Sequence, residues 1–154
     1  MKKFFAGSVM ALAGLLASPA QAANDSASVS VTINLTSKCV FGTIAPVVFA
    51  YTSFQATLAN ATGGTFNMKC TNTMPYKIGF TNAATPATTE ATTDNAVNLA
   101  YTLGLSATTG TGSGVDQPYT VTGTMALGQG GTCLTASCTN TAATNKVRTV
   151  YVVY

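Results

Sequence analysis

The chain of 154 residues reads as an all-β protein made of antiparallel strands. Three observations point there. Apolar residues recur with a period of two in run after run, the runs are separated by stretches rich in Gly, Thr, Asn and Pro, and no useful helical period occurs beyond the first 22 residues.

Those first residues form a leader. Lys2 and Lys3 make a positive start, residues 4–16 are apolar with small residues mixed in, and Ala20-Gln21-Ala22 is a small-x-small cleavage site. This predicts a secretory signal peptide over residues 1–22. A membrane anchor fits less well, because the run is short and breaks at Ser18-Pro19. Removing 22 residues from 154 leaves 132, a normal size for one domain with its own core. Five basic residues then face four acidic ones, a net charge of +1. Lys38, Lys69, Lys77, Lys146 and Arg148 are scattered and form no basic stripe, which argues against nucleic acid as a partner.

The strands follow in order. Ala27, Val29, Val31, Ile33 and Leu35 alternate with Ser28, Ser30, Thr32 and Asn34, giving one apolar and one polar face. Such a strand needs a partner sheet, in its own chain or in another. Residues 39–49 predict the first strand of the body, broken at Pro46, which cannot donate to a ladder. Phe66, Met68 and Cys70 mark the next, then Tyr76, Ile78 and Phe80. Val97, Leu99, Tyr101, Leu103 and Leu105 predict a longer strand, as do Tyr119, Val121, Gly123, Met125 and Leu127. Val150, Val152 and Tyr154 close the chain, with Tyr151 and Val153 on the other face. Gly63-Gly64, residues 82–96, 110–118 and 128–144 are expected as connectors. Short strands at this spacing argue for an antiparallel sandwich of the immunoglobulin type.

Four cysteines in an exported chain read as two disulfides. Three pairings are possible. The favoured set joins Cys39 to Cys70 across a long loop, stabilising by roughly 3 to 4 kcal/mol in the chain-entropy model, and Cys133 to Cys138 across a short one. Zinc is disfavoured, since histidine is absent and the second pair lacks a partner pair nearby. Without histidine, Ser-His and Cys-His nucleophile pairs are excluded. The carboxylates Asp25, Glu90, Asp94 and Asp116 are expected in the N-terminal tail and in loops, as solvated surface groups rather than an acid-base pair. The reading is of a protein that is not an enzyme and needs no cofactor. The sequons at Asn34 and Asn60 and the Gly-rich residues 110–114 are assigned no role beyond loops.

Four features occur together: the alternating strand before the first cysteine, Cys39-Val40-Phe41-Gly42, an Ala61-Thr62-Gly63-Gly64 turn leading into Cys70, and a terminal strand ending in an aromatic residue. In these the chain resembles the spore coat protein U domain family, which includes the subunits of archaic chaperone-usher pili. The resemblance covers residues 24–154. It departs where the family commonly has Gly-x-Tyr-x-Asp before the last strand, since Asn145, Lys146, Val147 and Arg148 stand there, and in the extra pair Cys133 and Cys138.

The resemblance implies an immunoglobulin-like sandwich lacking its final strand, with a donor segment at residues 23–36 and a pilin domain at 37–154. Ala27, Val29, Val31, Ile33 and Leu35 become the donor side chains. Val150, Val152 and Tyr154, on a terminal strand over residues 149–154, line the acceptor groove and meet the chaperone. The implied partners are other subunits in a head-to-tail polymer, a periplasmic chaperone and an outer-membrane usher. The implied place is a surface pilus serving adhesion and biofilm formation. Pattern alone leaves other readings open: pairing of the N-terminal strand within its own domain, a small outer-membrane β-barrel signalled by the terminal aromatic, or a monomeric secreted binding domain.

Overall fold

A computed structural model describes residues 24–81, 84–140 and 147–154. The expected leader and its expected cleavage site lie outside them. The chain divides into two units, Met1–Asn34 and Leu35–Tyr154. In the first, residues 24–34 are exposed and carry no regular secondary structure.

The second unit is all-β. Its strands are β1 (Cys39–Phe41), β2 (Val47–Val48), β3 (Ala59–Asn60), β4 (Thr62–Gly63), β5 (Thr65–Cys70), β6 (Pro75–Gly79), β7 (Thr89–Asp94), β8 (Leu99–Leu105), β9 (Thr109–Thr111), β10 (Gln117–Met125) and β11 (Tyr151–Val153). The larger sheet runs β1-β5-β10-β8-β7, with β3 also on β10; the smaller runs β11-β6-β9; β2 pairs with β4. All the strand pairings are antiparallel. This is an immunoglobulin-like sandwich.

Period-two patterning sets which face is buried. Phe66, Met68 and Cys70 of β5, Tyr119, Val121 and Met125 of β10, Leu103 of β8, and Tyr76, Ile78 and the following Phe80 from β6 are buried. The sheets are also tied by polar groups. The Tyr76 and Tyr119 hydroxyls hydrogen-bond across the core, and Tyr76 Oη donates to Gln117 Oε1 at 3.1 Å. Gly64, at φ +75°, is a glycine of necessity: a Cβ there would come within 2.4 Å of the Val121 carbonyl oxygen.

Several expectations are corrected. Residues 82–96 are not all connector, because 89–94 form β7, paired with β8 through six register positions from Thr89↔Gly104 to Asp94↔Leu99. Thr-Glu-Ala-Thr-Thr-Asp has no apolar alternation, so its strand character comes from β-branched threonines and a long neighbour rather than from burial. Residues 110–118 likewise contain most of β9 and the start of β10. The first body strand breaks at Gly42, before Pro46, and its halves join different ladders. Val97 and Leu127 fall just outside β8 and β10, and the terminal strand is Tyr151–Val153 rather than the six residues 149–154.

Candidate functional site

Sheet edges are where this body can take on another strand, since an edge presents unpaired N–H and C=O groups. Among the described residues β1 pairs only with β5, and β11 only with β6, so each ends its sheet. Both edges border one apolar interior. Cys39 of β1 is buried in the main core cluster, and Phe41, Val150 and Val152 pack against that cluster while half-buried. The ring of Phe41 lies 5.8 Å from that of Phe66.

Two features fix the edges in place. Cys39 and Cys70 are register partners in β1 and β5, with Cα atoms 4.1 Å apart, and are joined by a disulfide. The favoured cysteine pairing is therefore the one found, with Cys133–Cys138 as the second bond. On the other side, β11 is set by Tyr151↔Gly79, Val152↔Ile78 and Val153↔Lys77. Val152 thus stands opposite the buried Ile78. Tyr154 follows the strand and is exposed.

The approach to β11 is held by a group that sequence reading passed over. Arg148 Nε lies 3.3 Å from Glu90 Oε1, both side chains largely shielded, and the guanidinium stands 5.7 Å from the Tyr101 ring centroid. Burial raises the pKa of the Tyr101 phenol, and the nearby Arg148 charge partly offsets this. The expected loop placement of Glu90 and Asp94 is overturned: both belong to β7, on its inward side with Thr92. Asp94 is only 2 % exposed. Its Oδ1 accepts from the amides of Ala96 and Val97 at 2.8 and 3.2 Å, and its Oδ2 accepts from Asn140 Nδ2 at 2.8 Å. An Asp two residues before a turn amide is the available sequence signal, since such side chains bond the backbone just ahead of them. Asp116 sits at the surface, 3.9 Å from Lys69 Nζ.

The segment with the strictest alternation remains outside every ladder. Val29, Val31, Ile33 and Leu35 are 76–85 % exposed, and Ala27 is exposed as well. Residues 24–38 contain no strand. Elsewhere two shallow depressions, of about 410 and 390 Å³, lie on strand surfaces: one is lined by Leu58, Ala91, Ala100 and Thr102, the other by Gly42, Thr65, Asn67 and Thr120. Neither includes a residue of β11.

The model of the Spore Coat Protein U domain matches residues 25–153. The chain belongs to the Spore Coat Protein U domain family. This is the archaic chaperone-usher pilin family, made of structural pilus subunits rather than enzymes. No curated protein and no solved structure matches the chain. In this Spore Coat Protein U domain the family match begins at residue 25, and so takes in the exposed alternating segment together with the sandwich.

Proposed function

We propose that the chain is a pilus subunit that polymerises by donor-strand complementation. The exposed segment of one copy, through Ala27, Val29, Val31, Ile33 and Leu35, fills the interior of the next copy between β1 and β11. Val150, Val152 and Tyr154 flank the inserted strand. Residues 1–22 direct export, 23–36 donate and 37–154 accept. A periplasmic chaperone occupies the same edges until an outer-membrane usher exchanges it for the next donor, and the fibre serves surface adhesion and biofilm formation.

One observation carries this reading: among the described residues β1 and β11 each end a sheet beside the same apolar interior, while the chain's most regular amphipathic segment is exposed and outside any strand. Insertion satisfies both, with backbone bonds giving affinity and alternate side chains filling the interior. Burying four branched side chains contributes on the order of 6 to 12 kcal/mol before ordering costs. The strand lengths disfavour the barrel reading: among the described residues only β10 reaches nine residues, about the shortest length that crosses a bilayer as a β-strand.

The test is deletion of residues 24–35. The shortened chain is expected to fold in complex with its chaperone yet never to be donated onward, so no multimers resist detergent in an unheated gel. Loss of the chaperone complex itself, or fibres of normal length, would refute the reading.

A further inference from the structure

The two disulfides stand in opposite surroundings. Cys39 and Cys70 are buried in the core cluster and face one another in β1 and β5. Cys133 and Cys138 are both exposed, as is every residue from 132 to 139, and none of these lies in a strand. A disulfide exchanges when a thiolate reaches one of its sulfurs, so access decides which bond opens while the protein stays folded. Folding also guards the two unequally. The bonds span 31 and 5 positions of the chain, and closing the shorter loop restrains the unfolded chain less, so the fold loses less when that bond opens.

The exposed bond nonetheless clasps something buried. Just upstream, the Thr132 amide donates to the Val97 carbonyl at 2.7 Å, and Gln129 accepts from the Ala100 amide at 2.7 Å and donates to its carbonyl at 2.9 Å. Just downstream, Asn140 Nδ2 donates to Asp94 Oδ2, whose other oxygen takes the Ala96 and Val97 amides. Both ends of the disulfide loop are thus fastened to the one short segment that joins β7 to β8. With the bond shut, the Cys133 and Cys138 Cα atoms are 5.9 Å apart. With it open, five Cα steps can stretch to about 18 Å. The bond therefore keeps Asn140 near Asp94 in the way that a short tether raises the effective concentration of one group beside another.

We propose that Cys133–Cys138 is an exchange site for low-molecular-weight thiols, and that opening it loosens the turn between β7 and β8. The incoming thiolate bonds to one cysteine Sγ, and the electron pair of the broken bond leaves on the other, which takes a proton from water. The product is a mixed disulfide beside a free thiol. A second small thiolate then attacks the small-thiol sulfur of that mixed disulfide, so the small thiol departs as its own disulfide and the second cysteine is left reduced. Residues 133–138 gain reach, Asn140 spends less time on Asp94, and the Ala96 and Val97 amides meet solvent more often. The buried Cys39–Cys70 bond is untouched, so β1 keeps its register on β5. None of this depends on how copies of the chain assemble.

The experiment takes the full chain, purified without denaturant in its native assembly, and incubates it with excess reduced glutathione. Free thiols are then capped with N-ethylmaleimide and the four cysteines mapped by peptide mass spectrometry. Glutathione and maleimide adducts are expected at Cys133 and Cys138 at least about tenfold faster than at Cys39 and Cys70. Equal rates, or no adduct at Cys133 and Cys138 until the fold is lost, overturn the proposal. Amide hydrogen exchange reads the consequence. Opening the bond, or replacing it through Cys133→Ser with Cys138→Ser, is expected to speed exchange at Ala96 and Val97 at least about tenfold and to leave the β1–β5 ladder unchanged. Asn140→Ala should speed the same two amides with the bond intact, and glutathione should then add little. Unchanged exchange at Ala96 and Val97 after complete opening overturns the clasp, and so does an equal rise throughout β5 and β10, which would mark general loosening instead.

Discussion

Asp94 and Tyr119 are polar groups whose burial makes them structural. Asp94 closes the turn between β7 and β8 by accepting from two amides and from Asn140. Replacement by alanine removes the acceptor of the Ala96 and Val97 amides, and a buried unsatisfied donor costs about 1 to 3 kcal/mol. D94A is accordingly expected to lower stability by about 2 to 3 kcal/mol, seen as a lower denaturant midpoint at unchanged slope for the chaperone-bound subunit. A loss under half a kcal/mol would contradict the capping role. Tyr119 responds to alkali. Burial, and next its hydrogen bond with Tyr76, raise its phenol far above the ordinary value near 10. A group with a raised folded-state pKa contributes stability that is complete below the unfolded pKa and fades as pH climbs above it. Stability should therefore hold to about pH 10 and fall beyond it. Tyr119→Phe should flatten that fall, as followed by thermal unfolding between pH 8 and 11.

The sheet edges differ in what their inward faces carry. β7 also ends the larger sheet, but turns Glu90, Thr92 and Asp94 inward, and inward charge on an edge strand discourages further pairing. β1 and β11, with the residue just before β11, bring Phe41, Val152 and Val150 to the apolar interior instead. Polarity thus separates the acidic edge from the two apolar-lined edges that the proposed donor would join. Glu90→Val removes the inward charge that faces Arg148, so bundled or laterally aggregated fibres are expected in electron micrographs, against the single fibres expected of the parent. Arg148→Ala, which leaves Glu90 without the partner now 3.3 Å away, is expected to cost about 1 to 2 kcal/mol, between the values for exposed and buried ion pairs. Because Arg148 precedes β11 by three residues, its loss should also weaken chaperone binding in a pull-down, whereas Lys69→Ala at the surface should not.

At the scale of the molecule, the donation proposed above from one copy to the next would not close on itself, so it would build a fibre rather than a ring or dimer. The free subunit exposes unpaired edges beside an apolar interior, and such edges invite aggregation. Expression without the chaperone should leave no soluble monomer in the periplasm; its steady accumulation as a discrete species would count against the incomplete-domain reading. Much of this architecture was legible beforehand. β5, β6, β8 and β10 carry strict apolar alternation because each buries one face, and the cysteine pairing followed from the loops it closes. β7 was illegible for the converse reason: its inward face is acidic and hydroxylic, so no hydrophobic period marks it. The Arg148–Glu90 contact was hidden as well, since it joins residues 58 apart, one on an edge strand of the larger sheet and one just before an edge strand of the smaller.

The sequence alone determined the all-β class, the amphipathic N-terminal segment and the family resemblance, because a local period of two and short motifs are written in neighbouring residues. Tertiary structure decided which strands end the sheets, that β1 and β11 border the same interior, and that Asp94 and Glu90 turn inward. Those facts depend on long-range pairing, and a residue's neighbours across a sheet are not its neighbours in the chain.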